Sequence, residues 1–436
     1  MPRIHSSYRV VSAALIWRQS THSLLSIFFA VGLLVAIGGF VLQIAGTSTT
    51  EPFQATASSI LAQAILGSIY LVASILLIRS PSASAILVRV WPILVLPFLA
   101  FLSAAWSPDP FLTLRRSFAF LGTILFGLSL ASRFTFKDGL NLITQTLSVS
   151  MVLSVVWTIA LPAQGIHQAT DLPPVFVGLW RGIFAHRNIL GYNAGFTIAL
   201  LIVYGRAAFH SWLLRGGALI ASIACLIGAR SGGGFSITFT MLALLSSMSF
   251  FGRLAPKLRL IILTLYSLAA ACSTIFLDEI IAAALSILGK DPDLTGRVPY
   301  WHYLMALINK DEPMLGYGYY AGFALKIRPE IYESTGMDFM TPHNGYLDVL
   351  IAFGYIGLAV CILVFVWLEW RAIRLIILSA KHPYILDALP FVIITSVICY
   401  NFIEPSFISP NSQVVVLLAW LTPRLVGLDK CRRQAT

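Results

Sequence analysis

His343 is the side chain best placed to move a proton. It lies in the run TPHNGYLDVL, between Pro342 and Asn344, just before a long apolar stretch. An imidazole takes up and releases protons near neutral pH, so a histidine at such a boundary could serve as a general base. The competing reading is a structural histidine, and spacing leaves both open. A second group of residues suits anions. Arg115, Arg116, Arg181 and Arg187 (in LWRGIFAHRN) and Arg230 (in GARSGGGF) stand at the ends of apolar stretches, and Arg297 stands in DLTGRVPYW. Arginine presents a planar fork that matches phosphate oxygens and keeps its charge when partly desolvated. Snorkelling, or pairing with acids such as Asp109 or Asp171, is the alternative for each one alone. The run from Arg230 to Gly234, RSGGG, reads either as a backbone anion nest at a helix start or as a tight turn. It lacks the GxxxxGK[ST] spacing of a nucleotide phosphate loop.

A membrane is what must position these side chains. Hydrophobic residues make up 58% of the 436-residue chain and charged ones 11%, with a mean hydropathy of +0.85. Soluble domains carry about 25% charged residues. The cost of charge at the bilayer centre accounts for the deficit. Apolar runs recur along the whole length, so 1–436 is expected to be a single integral membrane domain. A helix needs about 20 apolar residues to cross the hydrocarbon core. Twelve stretches qualify: 23–45, 57–78, 87–105, 111–131, 140–161, 186–204, 213–229, 235–251, 258–277, 346–368, 386–402 and 411–426. Backbone groups in lipid must be satisfied within the chain, and the alternating pattern of barrel strands is missing. The expected fold is therefore an all-α polytopic membrane protein. The stretch 213–251 is the place where two spans could instead merge or re-enter. The first span exceeds the ~7–15-residue apolar core of a cleavable signal and is expected to stay as an anchor.

Charge sets the orientation. With the N-terminus in the cytoplasm and twelve crossings, both termini are cytoplasmic, with 19 Lys and Arg inside and 10 outside. Five of the outer ten lie in one long loop that the positive-inside rule does not count. Acids divide the other way, 4 inside and 14 outside. The pI of 9.6 thus reflects topology, and nucleic acid is not implied as a partner. Cys225, Cys272, Cys361 and Cys399 fall within spans and Cys431 in the cytoplasmic tail, so no extracytoplasmic disulfide is expected. No Cys/His metal spacing occurs.

Two outer loops are long. One covers 162–185. The other covers 278–342, between spans one to nine (23–277) and the last three with the tail (343–436). It carries Trp301, Phe323, Phe339 and six tyrosines, which is not a disordered composition. Trp301, Leu304, Met305 and Ile308 recur at helical spacing, with Pro299 in the first turn and Thr295 or Asp293 as cap. The spacing predicts a short amphipathic helix over 297–309, lying on the membrane face.

Five segments, in order, resemble the O-antigen ligase and polysaccharide polymerase superfamily, exopolysaccharide polymerases included. They are RGIFAHRNILGYNAG from Arg181, ARSGGG from Ala229, LTGRVPYW from Leu294, PMLGYGYYAGF from Pro313 and PHNGYLDVLIAFGYIGL from Pro342. The resemblance implies an inverting, metal-independent glycosyltransferase without a cofactor, in the bacterial inner membrane with its site facing the periplasm. Its donor would be an oligosaccharide on undecaprenyl pyrophosphate. Its acceptor would be a glycan or lipid A core, and membrane lipids would surround it. It maps His343 onto the base, and Arg230, Arg297, Arg181 and Arg187 onto the pyrophosphate. His186, Asn188, Ser231, Arg115, Arg116 and Asn344 stand as supporting candidates. The family often has a second basic residue where this chain reads Arg230-Ser231-Gly232-Gly233. Polymerase and ligase both remain open, with the wording of the segments nearer the polymerases. A lipid-linked glycan transporter is the competing class; it would place ionisable residues at mid-depth and show paired halves.

Overall fold

The computed structural model of the chain describes residues 23–40, 60–169, 176–251, 297–336, 339–378 and 384–428, with scattered positions between 254 and 265. Among the described residues the regular elements are helices, joined by turns and loops, with one isolated bridge pair, Ile166 with Trp180. In chain order the helices are α1 (Ser23–Ala36), α2 (Ile60–Ile78), α3 (Ala83–Arg89), α4 (Trp91–Leu102), α5 (Pro110–Arg133) and α6 (Phe136–Ala160). There follow α7 (Arg187–Ala208), α8 (Trp212–Ala229), α9 (Gly232–Phe251), α10 (Arg297–Asp311) and α11 (Arg328–Thr335). The last three are α12 (Gly345–Leu378), α13 (Tyr384–Tyr400) and α14 (Gln413–Leu425).

Six of these helices are long and apolar enough to cross a membrane, or seven if α3 and α4 count as one bent span. α1, α9, α13 and α14 are apolar but shorter. Eleven of the twelve expected spans coincide with a helix or bent pair; the ninth, 258–277, lies almost entirely outside the described residues. The third expected span is not straight. α3 and α4 meet at 74°, where Pro92 near the start of α4 cannot donate the hydrogen bond that would continue a helix. The questioned stretch 213–251 forms two helices, α8 and α9, each packed on α7.

Outward faces are apolar, as a lipid solvent requires. On α2 Ile60, Leu61, Leu71 and Ile78 are exposed, and on α8 Trp212, Leu213, Leu214 and Ile220. Inside, small residues let helices approach closely. A side chain at Gly127 of α5 would come within 2.6 Å of the Val416 carbonyl on α14, and one at Gly234 of α9 within 2.7 Å of Gly191 on α7.

The long loop 278–342 is folded where described. α10 runs about four turns where the spacing predicts a helix, and buries Trp301, Leu304 and Ile308. These join Tyr317, Phe323, Ile331 and the first half of α12 in an apolar cluster separate from the main core. The caps expected at Asp293 and Thr295 lie outside the described residues. α12 itself is broken at Gly354 (φ 64°), where the segment after α10 inserts. The freed carbonyls of Ile351 and Ala352 accept from the N–H groups of Tyr317 (2.8 Å) and Gly318 (3.1 Å), and the Tyr355 N–H donates to Pro313 (2.8 Å). A side chain at Gly354 would collide with the Met314 carbonyl at 2.3 Å. Loop and membrane helix are thereby one unit, which fixes the approach to His343.

Candidate active site

The helix ends that meet here are the starts of α7, α9 and α12, together with the loop 401–412 between α13 and α14. α10 supports the last turn before His343. Trp301 Nε1 donates to the Pro342 carbonyl (2.9 Å), the Tyr300 hydroxyl to that of Thr341 (3.3 Å), and the Tyr300 ring stacks on Phe339 at 3.9 Å. Asn344 caps α12, its Oδ1 accepting from Tyr346 N–H (2.9 Å) and Leu347 N–H (3.2 Å). His343, held between these anchors, takes a left-handed backbone conformation (φ 51°). Arg230, Tyr320 and Asn411 at this end of the molecule do the same. Such residues cost of order 1–3 kcal/mol each and persist only where their surroundings over-determine them.

His343 Nδ1 lies 3.3 Å from both carboxylate oxygens of Glu404. The side chains are 22% and 12% exposed respectively, so the pair is reachable yet largely shielded. Glu404 is fixed from its other side. Asn188 Nδ2 donates to Glu404 Oε1 (2.8 Å), Ser231 Oγ donates to Asn188 Oδ1 (3.1 Å), and the Gly234 N–H donates to Ser231 Oγ (3.1 Å). This relay runs from the first turn of α9 through α7 to the imidazole. A carboxylate at Nδ1 favours the tautomer that carries its proton there and leaves Nε2 as the acceptor. The loop bearing Glu404 is pinned by Asn401, whose Oδ1 accepts from Ser406 N–H (2.8 Å) and Phe407 N–H (3.1 Å). Asn401 in turn leaves room only for glycine at 345, where a side chain would fall 2.0 Å from Asn401 Oδ1.

Ser231 resolves the glycine run: its hydroxyl caps α9, and Gly233 lets Tyr400 and Glu404 pack against the first turn. Arg230 ends α8, with its side chain exposed beside this corner. Arg187 Nη1 donates to the Arg230 carbonyl (2.8 Å), and its guanidinium lies over the Phe176 ring at 4.6 Å. His186 caps α7 by accepting from the Asn188 N–H at 3.2 Å, which orients Asn188.

The structure therefore brings His343, Asn188, Ser231, Arg187 and Arg230 together, with Asn344 and His186 as caps. Arg181 is elsewhere: it is 2% exposed, and its Nε donates to the Gln164 carbonyl at 2.7 Å. That guanidinium bonds a carbonyl of the 162–185 loop, and the structure does not bring it to the His343 corner. Arg297 opens α10. Arg116 donates to the Tyr320 hydroxyl (2.8 Å) and stacks on its ring, away from the His343 corner. Glu404 is the residue that sequence reasoning missed. The signal was present: it is the only acid between Asp387 and Asp429, beside Pro405 in a short loop on the side of His343. Among the described residues no three His, Cys, Asp or Glu side chains form a metal-ligand group.

A multi-pass helical membrane protein with a buried-edge His–Glu pair is the class these features define. Residues 217–362, α8 to the middle of α12, match the family described as O-antigen ligase, which places this segment in the O-antigen ligase and polysaccharide polymerase superfamily. With it comes glycan processing at a membrane of the ligase or polymerase type, acting on lipid-linked glycan. No curated protein matches the chain. The matched segment holds Arg230, Ser231, Arg297 and His343, whereas Asn188 and Glu404 lie outside it.

Proposed function

We propose that the chain is a glycan polymerase of bacterial surface-polysaccharide assembly, with twelve spans, cytoplasmic termini and this corner facing the periplasm. The observation that carries the reading is the His343–Glu404 pair, braced by Asn188 and Ser231 and edged by arginine. The donor is an oligosaccharide on undecaprenyl pyrophosphate. A hydroxyl of the acceptor glycan attacks the anomeric carbon from the face opposite the pyrophosphate. As the new C–O bond forms and the old one breaks, the hydroxyl proton passes to His343 Nε2, and the stereochemistry inverts. Glu404 holds the tautomer and stabilises the imidazolium that results. The leaving pyrophosphate gathers negative charge, which Arg230 and Arg297 stabilise; no metal is needed. Arg187 instead holds the end of α8, and so sets where Arg230 stands.

The test uses purified protein, one lipid-pyrophosphate oligosaccharide and no other acceptor. A ladder of lengthened products from wild type, absent with His343→Ala, supports polymerisation. Transfer only after lipid A core is supplied would make it a ligase. Absence of product in both tests would move the function to transport of lipid-linked glycan.

A further inference from the structure

A second polar feature lies outside the His343 corner. α2 and α5 enclose a groove of about 420 Å³, within the size range of small-molecule sites. Arg115 and Arg116 of α5 line it, with Gln63, Tyr70 and Ser74 of α2 and Asn411. No acid is among its lining residues. The Nε of Arg115 is buried without a hydrogen-bond partner, a costly state for a charged donor unless something else meets it. The base of the groove is stiff: the Tyr70 hydroxyl donates to Asn411 Oδ1 (2.5 Å), and the Asn411 N–H donates to Thr123 Oγ1 (3.0 Å). The mouth is apolar and faces outward, with Leu71 63% and Phe118 64% exposed. From Gln63 to Ser74 the groove follows α2 for roughly 16 Å at 1.5 Å per residue. Gly67 lies midway, and a side chain there would meet nothing within 4 Å.

Cations inside, apolar flanks and a lateral opening fit an amphiphile whose anionic head enters from the bilayer and whose tail stays in it. Two adjacent guanidinium groups match a head with two phosphates better than a phosphodiester bearing one charge. We propose that this groove is a second lipid-linked site, which takes the diphosphate head of a polyprenyl-type lipid on Arg115 and Arg116, with the tail passing Gly67 and Leu71. The identity of the lipid rests on the transferase reading above. A reaction between two lipid-borne glycans needs two such sites, and Asn411 of the groove lies in the same 401–412 loop as Glu404, so one loop connects the two sites.

The experiment is photocrosslinking of the full chain in phosphatidylcholine nanodiscs with a photoreactive polyprenyl diphosphate, mapped by mass spectrometry. Labelling on α2 and α5, reduced at least about tenfold by Arg115→Gln and by Gly67→Leu, is the expected result. A Cβ at Gly67 meets nothing within 4 Å, so Gly67→Leu is chosen to fill the groove from its open side, with folding of both variants checked by the thermal unfolding midpoint. Labels elsewhere only, or insensitive to both variants, would overturn the proposal. So would equal displacement by phosphatidylglycerol, which would mark a general anionic-lipid surface. Labelling requires no turnover. A chain that labels here but transfers nothing loses the transferase reading and keeps the groove; one that transfers but does not label here loses the groove.

Discussion

The His343 corner and the α2–α5 groove spend polar groups in opposite ways. In the corner, Gly234, Ser231, Asn188, Glu404 and His343 satisfy one another in sequence, so that a single imidazole edge is left to act. In the groove, the base is internally bonded but the Nε of Arg115 is not. The corner is arranged to fix a proton acceptor; the groove is arranged to receive charge from outside. Catalysis asks for the first kind of order and binding for the second, because preorganised groups act best when nothing must move during reaction.

Substitutions can break that contrast. The largest effect is expected from His343→Ala, a drop in turnover of about a thousandfold, within the range for loss of general-base catalysis. Glu404→Ala should lower turnover by about a hundredfold while donor affinity holds. Because Glu404 is proposed to act through His343, the double variant should be little worse than His343→Ala alone, and additive losses would separate the two roles. Asn188→Ala removes one hydrogen bond to the carboxylate, and a loss of about tenfold in turnover is expected, with folding checked by the thermal unfolding midpoint. Arg181→Met tests whether that guanidinium serves the 162–185 loop: it should lower the unfolding midpoint and leave donor affinity unchanged. The smallest effect belongs to Tyr320→Phe behind the groove, which takes the phenol hydroxyl from Arg116 but keeps the ring. Affinity for polyprenyl diphosphate should change by no more than about threefold, read by titration, and turnover should not change.

Much of this was legible in the sequence, for physical reasons that differ by element. Membrane helices announce themselves by uninterrupted apolar length, so helices stand at the described stretches, six or seven of them long and apolar enough to cross a membrane. α10 was legible because Trp301, Leu304 and Ile308 keep a 3.6-residue period beneath a folded loop. His343 stood out by residue type at a boundary. Glu404 did not, since its partnership with His343 joins positions 61 apart in the chain, and no local period reports such a contact. The bend between α3 and α4 was hidden because hydropathy sums along a stretch and is blind to direction. Arg181 shows where residue type runs out: an arginine at a membrane boundary looks alike whether its donors meet phosphate or backbone carbonyls, and the fold of 162–185 gives its Nε the Gln164 carbonyl.

The central claim is that His343 moves the acceptor proton and does not hold the donor. The direct test measures turnover and donor binding side by side for wild type and His343→Ala, with the same lipid-pyrophosphate oligosaccharide. Turnover reduced about a thousandfold with donor affinity unchanged is the predicted result; a matching loss in both would contradict it and make His343 a binding residue.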